Sequence, residues 1–178
     1  EAAKWGEVAV ICGPPQYAGA KDSAPPEGVQ IRRVHAAGFG HGKLQKLLSY
    51  ASFTAGATWQ VLFGPRPDVI VTMTTPPLLG LLGWLAQLRG ARHFIWEMDL
   101  YPDVAVALGV FHRGGLLDRV TGWLADFPRH RANGIIALGP CMEDRLRRRG
   151  IRTTPIFIVH NWADGSALRP LQIGRAHV

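Results

Sequence analysis

The chain has 178 residues, of which 47% are hydrophobic and 19% charged. That balance excludes a disordered chain and allows one domain with its own core. A formal net charge of +7 favours anionic partners: nucleic acid, anionic lipid or a phosphorylated substrate.

Residues 1–5 read as the last turn of a helix, and residues 7–12 as a short buried strand stopped by Gly13-Pro14-Pro15. A loop rich in Gly, Pro and small residues runs to Gly28. Residues 29–34 alternate apolar and polar as an edge strand does, and residues 36–42 form a glycine-rich connection. Residues 43–62 carry Leu44, Leu47, Leu48, Ala51, Ala55, Trp59 and Leu62 near helical spacing, ended by Pro65 and Pro67.

The run 69–88 is nearly long enough to span a bilayer, but Pro76-Pro77 divides it. It reads as a buried strand, 68–73, followed by a helix, 78–88, that Gly90 terminates by adopting positive φ. The next strand covers 93–98. Leu116, Val120, Trp123, Leu124 and Phe127 mark another helical face, which Pro128 should kink or end. A strand at 134–138, a short basic helix at 142–149 and a strand at 156–159 follow. Strand and helix alternate almost throughout, which predicts a doubly wound parallel α/β sheet of Rossmann-like form.

The chemistry gathers at the end of the strand at 93–98, where His93-Phe94-Ile95-Trp96 gives way to Glu97-Met98-Asp99-Leu100-Tyr101-Pro102-Asp103. A strand buried on both faces reads as continuous apolar sequence, so these acids belong at its carboxyl tip, where open α/β sheets keep their ligand crevice. If the strand stays regular, Glu97 and Asp99 share a face. Asp103 reads more simply as a cap for a following short helix. Two further loops should converge there. Gly13-Pro14-Pro15-Gln16-Tyr17 is one. Thr74-Thr75-Pro76-Pro77 is the other, either an anion or sugar-hydroxyl site or a plain helix cap with prolines just inside. His160-Asn161-Trp162-Ala163-Asp164 lines a cleft or links domains.

Other chemistries find no support. The sequence holds no Gly-x-Gly-x-x-Gly after a strand, no Walker loop, no Gly-x-Ser-x-Gly and no metal-spaced His/Cys/acid cluster. Cys12 and Cys141 stand alone and suit a reducing compartment. The run Arg145-Leu146-Arg147-Arg148-Arg149 reads as a solvated helix end set against the helix dipole, and no nucleic-acid motif accompanies it. The scattered histidines, His93 included, receive no role.

Six segments then occur in a familiar order: Val10-Ile11-Cys12-Gly13-Pro14-Pro15, Arg66-Pro67-Asp68-Val69-Ile70-Val71, Thr74-Thr75-Pro76-Pro77, Trp96-Glu97-Met98-Asp99-Leu100-Tyr101-Pro102-Asp103, Ala137-Leu138-Gly139 and Asn161-Trp162-Ala163-Asp164. Together they resemble the N-terminal half of glycosyltransferase family 4 enzymes, and most of all the bacterial fucosamine-transferase-like branch. The resemblance implies the acceptor-side domain of a GT-B enzyme, truncated at both ends. Residues 1–160 would form the domain without its first βα unit, 161–172 would begin the linker, and 173–178 would be a non-native tail.

The resemblance further implies transfer with retention of configuration, without a bound metal or resident cofactor. The nucleotide-sugar would act as co-substrate, and the acceptor would be a lipid-linked saccharide. Asp99, with Glu97 beside it, stands where the family places an acceptor-side catalytic group. Gly13, Pro14, Thr74, Thr75, Tyr101 and Asn161 would border the acceptor. Docking at the cytoplasmic face of an anionic membrane, through Phe39 near Lys43 and Lys46, is compatible with the charge; a nucleic-acid partner is not expected. The competing readings are a nucleotide-sugar epimerase of GT-B build and a non-catalytic basic α/β module binding lipid or nucleic acid.

Overall fold

The structure, a computed structural model, describes residues 6–14, 27–38 and 42–161. Their elements run β1 (Val8–Cys12), β2 (Val29–Arg33), α1 (Lys43–Phe63), β3 (Val69–Met73), α2 (Gly80–Leu88), β4 (Arg92–Glu97), α3 (Asp103–Ala107), α4 (Leu116–Arg129), β5 (Gly134–Ala137), α5 (Pro140–Arg148) and β6 (Ile156–Ile158). β3, β4, β5 and β6 pair in that order, all parallel, while β1 and β2 form a separate parallel pair. Parallel neighbours need crossover connections, and α2, α4 and α5 supply them. The predicted Rossmann-like parallel α/β arrangement is therefore present.

Alternation along each strand decides what the helices cover. Ile70, His93, Ile95 and Glu97 point to one face, joined through register by Ile135 and Ala137. Ile95, Ile135 and Ala137 pack with Leu146 of α5 and the fully buried Ile151. Ile11 and Ile70 pack with Ala57 and Val61 of α1 and Leu82 and Ala86 of α2. On the opposite face Val69, Val71 and Met73 stay about half exposed, as does Phe157.

Two glycines set how closely α2 packs and where it stops. A Cβ on Gly83 would lie 2.0 Å from His93 Nε2, so only glycine lets α2 settle on β4. Gly90, at φ +87°, ends the helix as expected. Its amide donates to the Gln87 carbonyl and the Ala91 amide to that of Ala86, which satisfies two otherwise orphaned carbonyls.

One expectation fails here. The helix after Thr74-Thr75-Pro76-Pro77 begins only at Gly80 and carries no side-chain cap, because Leu78 at φ +70° interposes a turn. Pro128 lies inside α4 one residue from its end, so the helix stops beside it as expected; it is fully buried and packs against Gly80.

Candidate active site

The carboxyl tips of β3 and β4 lie side by side, with Met73 paired to Trp96. One residue beyond β3, Thr74 is buried and its hydroxyl accepts hydrogen bonds from the Met98 amide at 3.3 Å and the Asp99 amide at 3.2 Å. β4 stops at Glu97, so regular alternation stops with it. Glu97 and Asp99 consequently do not share a face. Glu97 is 1% exposed, whereas Asp99 stands open to solvent.

Glu97 has a partner that fully occupies it. Arg129, near the end of α4, donates Nε to Oε1 at 2.6 Å and Nη2 to Oε2 at 3.1 Å. Both side chains are buried, at 4% and 1% exposure. Burial pushes the Arg129 guanidinium toward losing its proton, but the charge and hydrogen bonds of Glu97, then those of Asp126, hold it above the ordinary arginine value. This corrects the sequence expectation: the carboxylate of Glu97 answers a buried cation instead of facing an acceptor. Thr74 is turned inward likewise, its hydroxyl oxygen accepting both amides of the β4 tip.

Arg129 also donates Nη1 to the Tyr101 carbonyl at 3.2 Å and to Asp126 Oδ1 at 2.9 Å. Asp126 in turn takes two bonds from Arg149, which reaches Asp103 at 2.9 Å. Arg147 caps the carbonyls of Ile151, Arg152 and Thr154. The basic run of α5 is thus partly structural, and Asp103 pairs with Arg149 at the start of α3. A cavity of about 30 Å³ lies between Thr74, Glu97, Tyr101 and Arg129. It has room for a water molecule or two, far too little for a sugar, so any sugar must bind outside it.

Tyr101 is half-buried beside Asp99. Burial, then the charge of Asp99, then that of Tyr50, raises its phenol above the ordinary tyrosine value. Tyr50 of α1 was invisible to sequence reasoning, since one tyrosine on a leucine-rich helix carries no signal. Three residues along α1, Phe53 lies 3.6 Å from where a Cβ on Gly13 would stand. The Gly13 turn, whose carbonyl accepts from Arg33, therefore borders the same face of α1 as Tyr50. Pro14 and Thr75 are exposed beyond β1 and β3. Asn161 is exposed past β6, two strands from β4, after His160 has bonded the Leu138 carbonyl. Tyr17, Trp162 and Asp164 lie outside the described residues, as does Phe39.

The surviving cluster is the open carboxylate of Asp99 with the Tyr101 phenol beside it, on backbone fixed from beneath. Such a group can accept a proton from a hydroxyl or face a developing positive charge. Among the described residues no three His, Cys, Asp or Glu side chains group as a metal would require. The sequence matches the glycosyl transferase 4-like domain over residues 1–162. The chain belongs to that family. No curated protein matches it. As a glycosyl transferase 4-like domain, the chain has a transferase kind of function, with a nucleotide-sugar and an acceptor as its general substrates. Among the described residues no helix is long and apolar enough to cross a membrane.

Proposed function

We propose that the chain is the acceptor-side domain of a retaining sugar transferase of GT-B build. It moves a sugar from a nucleotide-sugar to a lipid-linked saccharide during assembly of a bacterial cell-surface polysaccharide. Family membership supports the transferase part. The observation that carries the site is Asp99, exposed beside Tyr101 at the β4 tip while its neighbour Glu97 is sequestered. In this reading Asp99 polarises the acceptor hydroxyl or stabilises positive character on the departing sugar. Tyr101 and Tyr50 offer hydroxyls to the acceptor, and Gly13, Pro14, Thr75 and Asn161 border its path. The nucleotide-sugar is a co-substrate, and no resident cofactor is invoked.

The test is to incubate the complete gene product with UDP-, GDP- and dTDP-sugars, fucosamine derivatives among them, and a prenyl-diphosphate-linked saccharide. Mass spectrometry should show the acceptor gaining one sugar, and NMR should show the donor's anomeric configuration kept. Isomerised nucleotide-sugar without acceptor gain would indicate an epimerase, and no conversion of any donor would refute both readings.

We also infer contact with an anionic membrane surface. The support is the +7 charge and an exposed α4 stripe of Leu116, Val120 and Trp123 with Arg119 among them. Sedimentation with phosphatidylglycerol-containing vesicles, fading as salt rises, is expected; equal binding to pure phosphatidylcholine would contradict the electrostatic part.

A further inference from the structure

We propose that Thr74 and Arg129 are positioning residues that hold the Asp99-Leu100-Tyr101 segment in working geometry through bonds to its backbone. The inference rests on the sugar-transfer reading above and adds residues that never touch substrate. Sheet pairing of β4 with β5 ends at Glu97 and Ala137. From there to the first turn of α3 the chain has no strand partner among the described residues, so other groups must fix it.

They do so from two sides. Thr74, from the tip of β3, receives the amides of Met98 and Asp99 on one oxygen. Arg129, from α4, binds the Tyr101 carbonyl with the guanidinium whose other nitrogens grip Glu97. Thr74 is 8% exposed and Arg129 3%, so neither meets an acceptor directly. The same arginine is braced in turn. Thr154 donates its hydroxyl to the Arg129 carbonyl at 2.8 Å, and Asp126 ties it to Arg149 and so to Asp103. The segment between Glu97 and Asp103 is therefore anchored at both ends and in the middle, while the Asp99 side chain faces solvent. A reacting group held on locked backbone keeps its geometry, and a displacement near 1 Å can cost roughly 10²-fold in rate.

Thr74→Val keeps the side-chain shape and removes the oxygen, whereas Thr74→Ser keeps the oxygen. Arg129→Lys keeps the charge but cannot grip Glu97 with two nitrogens while reaching Tyr101. Amide hydrogen exchange at Met98 and Asp99 should rise about tenfold or more in Thr74→Val, as the protecting bonds are lost. In the transfer assay with the prenyl-diphosphate-linked saccharide, kcat should fall roughly 10²-fold with KM little changed. Arg129→Lys should act in the same direction, and Thr74→Ser should restore both readouts.

Unchanged exchange in Thr74→Val would overturn the proposal. So would a loss in Thr74→Ser equal to that in Thr74→Val, or a loss confined to KM. Wild-type inactivity toward every donor would sink the transferase reading instead, and exchange at Met98 and Asp99 would still decide whether the clamp exists.

Discussion

A carboxylate at the end of a buried strand needs either a cation or water. Glu97 has the first, in the two-pronged grip of Arg129, and Asp99 has the second. Removing one member of a buried pair strands the other, which costs about 3–5 kcal/mol. Glu97→Ala should therefore lower the stability of the fold by that order, read as a shifted urea midpoint. A shift under about 1 kcal/mol would mean that Asp126 alone satisfies Arg129. The sequence placed both acids at a strand tip correctly but could not tell them apart. The residue that separates them lies 32 positions away, and an arginine late in an amphipathic helix reads as surface until the fold turns it inward. The amide partners of Thr74 are hidden for a similar reason: they come from the adjacent strand tip, which local sequence does not reveal.

The elements themselves were far more legible. Continuous apolar runs announced the strands, and observed boundaries fall within about two residues of those expected, as helix and strand ends usually do. The start of α2 is displaced by the full two, since a leucine at positive φ is not a residue that pattern would place there. Packing of α2 on β4 also buries His93, which shares a 2.8 Å hydrogen bond with Thr72. Burial lowers its pKa from the ordinary 6.5 to about 4. The unfolded chain therefore takes up a proton across that window that the folded chain refuses. Stability should be fully present above about pH 6.5 and fall by on the order of 3 kcal/mol as pH drops toward about 4. His93→Gln should flatten this part of the pH profile in urea titrations, and an identical slope in the variant would assign it to other groups.

At the scale of the whole molecule, the described helices α1, α2, α4 and α5 gather on one face of the sheets. The opposite face presents Val69, Val71, Met73 and Phe157 at 47–51% exposure. The outer edge of β3 is also unpaired among the described residues. Exposed apolar faces beside open edges favour self-association. Val71→Lys should reduce concentration-dependent association in sedimentation velocity, and an unchanged profile would show that this face is not open in solution. The candidate site lies at the carboxyl tips of β3 and β4, where Asp99 is exposed beside the end of α4.

The account turns on Asp99 acting at those tips. The most direct measurement is kcat and thermal midpoint for Asp99→Asn, made together in the complete gene product with its donor and acceptor. Loss of a general base predicts a fall in kcat of about 10²–10⁴-fold. The midpoint should hold within a few degrees, because Asp99 is exposed and its backbone is fixed by Thr74. Undiminished turnover, or a collapsed midpoint accounting for the loss, would contradict the role assigned to it.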